Sequence, residues 1–259
     1  MTDGPDFRRL AGSFGSVAAE YDRARPSYPD ELFDELERLA GRTLKGARVL
    51  DVGAGTGIST RLLAARGADV VAVEPTPGMG AQFLASSPGL PLVRGSGDEL
   101  PFHDRSADLV TYAQAFHWTR PELSIPEALR VLRPGGALAT WWNVKDSGVG
   151  WVRAMGERHA AAMAGLYHGY GAPGEIVGQL APHGLRVRTA VLRWERRITV
   201  DHLITDLTSR SYFASLTPER RAPLLAADRE ALLAEFPDGW VTEPYVLDLT
   251  VALAPGGAA

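Results

Sequence analysis

From residue 48 onward, short runs of apolar, often β-branched positions alternate with stretches in which apolar residues recur every third or fourth place. The runs predict strands at Arg48–Val52, Asp69–Glu74, Leu92–Arg94, Ala107–Tyr112 and Gly136–Trp142. The periodic stretches predict helices at Ile58–Arg66, Gly78–Ser86 and Pro121–Leu132, and Arg133-Pro134-Gly135-Gly136 is read as the end of the last helix and the start of the fifth strand. Strand and helix in strict alternation with short connections describe a parallel sheet with right-handed crossovers.

Upstream, Phe14, Val17, Ala18 and Tyr21 keep helical spacing, and Arg25-Pro26-Ser27-Tyr28-Pro29 forces an extended turn. Asp30 is then placed to cap a helix over Glu31–Ala40 that buries Leu32, Phe33, Leu36 and Leu39. Downstream, residues 146–185 read as an insertion, helical from Val152 to Tyr167, and Arg186–Ile198 as a long strand of alternating pattern. Helices at Asp201–Ser209 and Pro218–Phe236 and a strand at Tyr245–Leu253 complete the chain. The expected fold is one α/β domain over 1–259, built on a doubly wound, mostly parallel seven-stranded sheet. It divides into an N-terminal cap (1–47), a ligand-binding core (48–145), a lid (146–185) and C-terminal strands and helices (186–254).

Composition narrows the chemistry. At 259 residues, 45% hydrophobic and 22% charged, the chain has the make-up of a globular enzyme. A formal charge of -4 without a long basic run argues against nucleic acid as a partner. With no cysteine, thiolate nucleophiles, disulfides and Cys-ligated metals are excluded. His159 and His168 lie nine residues apart, on opposite faces of a helix, and no clustered carboxylate motif occurs, so no metal is expected. No apolar run is long enough to span a bilayer, and a cytoplasmic monomer or homodimer is the expected state.

Within this frame one stretch carries the chemistry. Val49-Leu50-Asp51-Val52 runs into Gly53-Ala54-Gly55-Thr56-Gly57, a strand that turns through three alternate glycines into a helix. A dinucleotide site uses G-x-G-x-x-G to approach a pyrophosphate. Here the spacing is G-x-G-x-G, and Asp51 at the strand end would repel a pyrophosphate while suiting a cationic amino acid moiety. Glu74 closes the second strand about 20 residues on, where an acid accepts hydrogen bonds from ribose hydroxyls. Ribose and a cation without pyrophosphate describe S-adenosyl-L-methionine.

The segment Val49–Gly57 resembles motif I of the class I S-adenosylmethionine-dependent methyltransferases, which share a Rossmann-like sheet. Val71-Ala72-Val73-Glu74-Pro75 through Met79 and Gly95-Ser96-Gly97-Asp98-Glu99-Leu100-Pro101-Phe102 are similar to the segments that follow it. Ala107-Asp108-Leu109-Val110, Gln114-Ala115-Phe116-His117-Trp118 and Arg130–Gly136 resemble the fourth and fifth strands and their loops. Phe14, Tyr21-Asp22, Arg25–Pro29 and the His-Trp pair are similar to the small-molecule group that includes trans-aconitate methyltransferase-like enzymes. The resemblance implies that Asp51, Gly53, Ala54 and Gly55 line the methionine and ribose of the cofactor, that Glu74 beside Pro75 holds the ribose hydroxyls, and that Met79 lies on the adenine. It also implies that Ser96, Gly97 and Asp98 border the adenine, that Gln114 and Ala115 border the donor, and that Tyr21 and Arg25 close over the methionine end. Ser96 stands where the family usually has Asp, so the side-chain bond to the adenine amino group is not carried over.

Each of these residues has a plainer reading as well. Asp51 can cap the turn, Tyr21 and Tyr28 can pack the N-terminal helices, and Arg25 can sit on an exposed face. His117, after the fourth strand, is either a general base with a pKa suited to neutral pH or a polar wall of the pocket. Trp141 and Trp142 are sheet core or substrate wall, and Trp151, Tyr167, Tyr170 and Tyr212 line an apolar pocket or form the lid's own core. The expected activity is methyl transfer to a small-molecule acceptor, at oxygen or nitrogen of a metabolite or natural product, with carboxyl methylation of an organic acid as the alternative. The rival classes are an NAD-dependent oxidoreductase, disfavoured by Asp51 and the glycine spacing, and a non-catalytic S-adenosylmethionine-binding protein.

Overall fold

The computed structural model describes residues 25–163, 173–208, 213 and 216–255. Among these, helix α1 (Asp30–Ala40) precedes the sheet and buries Leu32, Phe33, Leu36 and Leu39, as the periodicity predicts. Pro29, rather than Asp30, holds the N-cap position, and no side chain caps the helix. Asp30 lies within the first turn, where its charge complements the helix dipole.

The core then alternates β1 (Arg48–Val52), α2 (Ile58–Ala65), β2 (Asp69–Val73), α3 (Pro77–Ser86), β3 (Leu92–Val93), β4 (Ala107–Ala113), α4 (Pro121–Val131) and β5 (Leu132–Lys145). After α5 (Gly150–Met163) and α6 (Pro173–Leu180) come β6 (Arg186–Thr199), α7 (Val200–Thr208), α8 (Pro218–Glu235) and β7 (Trp240–Leu253). The seven strands lie in the order β3-β2-β1-β4-β5-β7-β6. The first five are mutually parallel, and β7 runs antiparallel to both β5 and β6. The order reverses beside β1, at the topological switch point where open α/β sheets place their ligands.

Two strands are longer than their sequence pattern predicts. Arg133-Pro134-Gly135-Gly136 is not a break before β5 but a bulge inside it: Ala107 pairs with Leu132 and Leu109 with Ala137. Proline, which has no donor, and Gly135 at φ 73° fit such an irregularity. β7 begins at Trp240, five residues before the apolar run. Pro244 is tolerated there because the last β5 pairing is Lys145 with Tyr245, so Pro244 lies where β5 has ended.

Fourteen uninterrupted pairs join β6 to β7, from Arg186–Leu253 to Thr199–Trp240. The five pairs beyond Tyr245 carry this ribbon roughly 17 Å past the end of β5, on the side of the carboxyl ends of the parallel strands. Three cores follow. One lies between the sheet and α1, around Phe33, Val49, Leu109, Trp141 and Leu249. Another covers the opposite face, around Leu50, Val110, Tyr112, Ile125 and Leu138. The third sits at the ribbon's far end, where Met155 of α5 packs with Ile198, Leu203, Leu207, Phe213, Leu232 and Val241. The stretch expected as a lid contributes to two cores. α5 joins α7 and α8 in the distal core, whereas Ile176 and Leu180 of α6 belong to the core on the sheet face. Trp151 meets Phe236 edge to face at 5.7 Å inside the distal core; Tyr167, Tyr170, Tyr212 and His168 lie outside the described residues.

Candidate functional site

The glycine loop crosses the switch point. Gly53 and Ala54 N–H groups both donate to the Val73 carbonyl, at 2.8 and 3.1 Å, which draws the loop across the end of β2. Gly53 has φ 69°, and a Cβ there would come within 2.5 Å of the Ala115 Cβ. The loop is thus pressed against the segment after β4, which only a residue without a side chain allows. Gly57, at φ 91°, enters α2 against the Phe83 ring and Ser87 Oγ, both 2.7 Å from a Cβ built there. By contrast nothing lies within 4 Å of a Cβ built on Gly55, so that side of the loop is open to a ligand.

Asp51 lies beneath the loop rather than in it. Its carboxylate is fully buried and accepts hydrogen bonds from Thr60 Oγ1 of α2 at 2.6 Å and Thr111 Oγ1 of β4 at 2.8 Å. Burial raises its pKa to about 6, against the opposing effect of those hydroxyls. The acid fastens β1, β4 and α2 together; any influence on a cationic ligand passes through the field of the loop, not through a direct contact.

Glu74 is buried at the end of β2. Oε2 accepts the Gly55 N–H at 2.9 Å and Oε1 the Thr76 N–H at 2.8 Å. Burial raises its pKa, opposed by these two backbone bonds. The Thr76 hydroxyl also hydrogen-bonds the carboxylate, and the acceptor capacity that remains can be offered to a hydroxyl donor without releasing the loop. Pro75 is exposed beside it, and Met79 is buried in the first turn of α3.

The Gly95–Asp98 segment closes the next edge. Ser96 is exposed, and its Oγ accepts the Asp98 N–H at 3.2 Å. Gly97 is buried against Tyr112 and Thr119, each 3.0 Å from a Cβ built there. Asp98 is turned to Arg120, accepting its backbone N–H at 2.8 Å and its Nε at 2.9 Å. These bonds tie the segment to the start of α4. The Tyr112 hydroxyl is buried behind Gly97 without a hydrogen-bond partner, and sequence reading gave it no role. Its position was hidden inside an apolar strand run.

At the end of β4, Gln114 adopts φ 54°, a left-handed conformation uncommon for a side-chain-bearing residue. Its N–H donates to the Trp141 carbonyl at 2.9 Å and its Nε2 to the Asn143 carbonyl at 3.2 Å, which hold it there. His117 follows in a 3₁₀ turn, Phe116–Trp118. Trp142 Nε1 lies 3.4 Å from His117 Nδ1. Indole nitrogen only donates, so Nδ1 is the acceptor and the neutral ring carries its proton on Nε2. Burial pushes the His117 pKa down to about 4. A neutral imidazole with its Nδ1 lone pair engaged suits a hydrogen-bond donor in a pocket wall better than a general base. Arg25 is half-buried at the first described position, and Tyr21 lies outside the described residues.

The structure therefore brings Gly53, Ala54, Gly55, Glu74, Gln114, Ala115 and His117 around one crevice. No group of three His, Asp or Glu able to hold a metal occurs among the described residues. None of their helices is long and apolar enough to cross a membrane.

Residues 50–140 match the family model of a methyltransferase domain. An uncharacterised methyltransferase of Mycobacterium tuberculosis is 40% identical over 230 residues, 89% of each chain. The chain belongs to the class I S-adenosylmethionine-dependent methyltransferases. An uncharacterised methyltransferase-like protein of Schizosaccharomyces pombe is 32% identical over 81% of each chain. The fold is shared with phosphoethanolamine N-methyltransferase 2 of Haemonchus contortus, solved with S-adenosyl-L-methionine, at a TM-score of 0.57 and 16% identity over 93% of this chain and 57% of that one. As a methyltransferase of this class the protein uses S-adenosylmethionine as its methyl donor, and the open side of Gly55 beside the Glu74 carboxylate fits that donor's ribose.

Proposed function

We propose that the protein transfers the methyl group of S-adenosylmethionine to an oxygen or nitrogen atom of a small-molecule acceptor. The acceptor is seated between the ends of β4 and β5, the distal helices α5, α7 and α8, and the N-terminal segment. The observation that carries this reading is the pairing of Glu74 with the amide of Gly55: one carboxylate sets the shape of the loop and offers its remaining acceptor capacity to the ribose diol. Gly53 and Ala54, their amides spent on Val73, serve as floor, and Ala115 closes the far side. Gln114, held in its strained conformation, borders the methyl donor, and Met79 supports the adenine from below. Tyr21 and Arg25 close over the methionine end, with the Arg25 guanidinium on the carboxylate of the donor.

The donor is activated before it binds, being a sulfonium whose positive charge is lost as the new bond forms. The protein contributes alignment of the acceptor in line with the departing sulfur, together with exclusion of water. The ribbon and its distal core extend over the carboxyl ends of the strands and are placed to provide that exclusion. His117, neutral and accepting at Nδ1, forms a polar wall of the acceptor site.

Calorimetric titration with S-adenosylhomocysteine tests the donor site. Glu74→Ala is expected to weaken binding at least tenfold, about 1.4 kcal/mol or more, while His117→Gln binds as the parent does and loses turnover. Unchanged affinity in Glu74→Ala would sink the assignment, and NADH is expected to give no heat of binding.

A further inference from the structure

β6 ends the strand order beside β7, and among the described residues it pairs with no other strand. The ends of the neighbouring ladders show where its free backbone groups point. The Val200 N–H donates to the Gly239 carbonyl at 2.9 Å, and the Ala254 N–H to the Gly136 carbonyl at 2.9 Å. In an antiparallel ladder successive residues bond alternately to one side and the other. The odd-numbered residues of β7 therefore bond β6, and its even-numbered residues bond β5. By the same alternation the even-numbered residues of β6 bond β7. The amides and carbonyls of Val187, Thr189, Val191, Arg193, Glu195 and Arg197 then face away from the sheet, and no described residue bonds them there. An edge of this length is a template for another strand, and proteins blunt such edges with a proline, a bulge or a covering element. β6 contains no proline, and its fourteen pairs with β7 contain no bulge.

Charged side chains can also guard an edge, but those of β6 carry both signs in a set order. Thr189, Val191, Arg193, Glu195 and Arg197 are all exposed on one face of the strand. Arg193 meets Asp146 at 3.6 Å with its side chain largely exposed, and Glu195 has no ion-pair partner among the described residues. Two copies of one strand pair antiparallel about a two-fold axis beside a single residue, and that residue fixes every cross-strand neighbour. An axis at Arg193 sets this cation against itself. At Glu195 it sets the acid against itself and Arg193 against the partner's Arg197, and at Leu192 no opposite charges meet on the exposed face. At Arg196 the partner's Arg197 faces Glu195, but the shared ladder shrinks to Arg193–Thr199. At Trp194 the partner's Glu195 faces Arg193 and the partner's Arg193 faces Glu195, along a ladder from Thr189 to Thr199. That axis also sets the two Trp194 side chains in a close, non-hydrogen-bonded pair, where aromatic side chains attract.

We propose that β6 is the dimerisation edge of the protein, two copies joining β6 to β6 antiparallel about Trp194. The product is one continuous sheet of fourteen strands, seven from each copy. The shared ladder runs roughly 35 Å. Its outward amides supply about ten backbone hydrogen bonds, the number a specific interface carries. Val191, an apolar side chain 55% exposed, is covered there by the stem of the partner's Arg197. The proposal concerns assembly and stands apart from the methyl-transfer reading.

Sedimentation velocity of the whole protein tests it, and the parent is expected to sediment as a dimer at micromolar concentration. Arg193→Glu sets acid against acid across the axis, and Glu195→Arg sets cation against cation. Each variant alone is expected to weaken self-association at least tenfold. An equal mixture of the two restores both opposite pairs and is expected to dimerise as the parent does, and so is the double variant Arg193→Glu/Glu195→Arg. Val191→Pro deletes one outward amide while leaving the ladder with β7 intact. It is expected to weaken the dimer with an unchanged circular dichroism spectrum. A parent that stays monomeric, including one whose edge takes up a strand of another protein instead, would overturn the proposal. A dimer that survives both single variants, or a mixture that fails to associate, would overturn it too, because either places the contact elsewhere. Titration with S-adenosylhomocysteine is expected to be the same for all these proteins, so the donor site is read separately from the assembly.

Discussion

Two buried titratable residues near the crevice pull the acid stability of the protein in opposite directions. Asp51 has its folded pKa raised to about 6 by burial, so the folded state holds a proton that the unfolded chain has lost, and stability falls as pH rises from about 4 to 6. His117 has its folded pKa lowered to about 4, so the unfolded chain binds the proton first, and stability falls as pH drops from the usual histidine range towards 4. The two contributions oppose each other between about pH 4 and 6, and single variants uncover them. Asp51→Asn is expected to show a melting temperature that falls more steeply on acidification than in the parent. His117→Gln is expected to show one that falls as pH rises across the same window. Melting curves at half-unit pH steps read this directly, and parallel profiles for the three proteins would contradict it. At this scale the sequence revealed residue type and rough place but not orientation. Asp51 is legible as the acid of the loop, yet its capture by Thr60 and Thr111 depends on hydroxyls nine and sixty residues away. The bond from Arg120 to Asp98 is hidden for the same reason: Arg120 stands at the start of a helix whose approach only the packed sheet defines.

Elements whose boundaries are written in local chemistry were the most legible. β1 has the ends its apolar run predicts, and α2 starts where Gly57 turns the chain. Gly57→Ala is a demanding test of that turn. The new Cβ meets Phe83 and Ser87 Oγ at 2.7 Å with φ at 91°, so both packing and backbone resist it. A loss of about 3 kcal/mol is expected from strain and overpacking together, lowering the melting temperature by roughly 6–12 °C in a chain of this size. β5 and β7 were less legible because partners, not composition, extend them: polar Thr242, Glu243 and Pro244 become strand once β6 lies alongside. Within that extension Glu243 is fully buried between Lys145 and Arg196, which lie at 5.9 and 5.7 Å from the Tyr245 ring centroid. Glu243→Leu removes the anion from two largely buried cations and is expected to cost about 3–5 kcal/mol. Urea unfolding measures it, and a change below 1 kcal/mol would show that the strand is held by its backbone ladder alone.

For the whole molecule, the alternating pattern was enough to predict a doubly wound sheet with its crevice at the switch point, and the strand order agrees. It was not enough to predict how the segments after β5 divide between cores. α5 and α6 are neighbours in sequence, yet they serve different cores. Hydrophobic spacing says that a helix has an apolar face, not which surface that face will meet. The buried contact of His159 with Asp228, at 2.6 Å, and the Arg158 Nε bond to the same carboxylate at 2.9 Å fix α5 to α8 across 69 and 70 residues of sequence. No local signal announces such a pairing.

The unbroken ribbon of β6 and β7 has a consequence for how the molecule moves. A cover hung on loops swings about a few backbone torsions, but this one is welded to its base by two strands sharing fourteen consecutive pairs. Motion of the ribbon itself is therefore expected as bending or twisting of an elastic strip, with no torsional hinge among its paired residues. The same continuity couples the distal core to the sheet when the protein melts, so calorimetry should record one transition whose van't Hoff and calorimetric enthalpies agree. In hydrogen exchange the paired amides from Trp194 to Thr199 should be protected as long as those from Val187 to Leu192. Early exchange confined to the outer half would show that the strip has a joint after all.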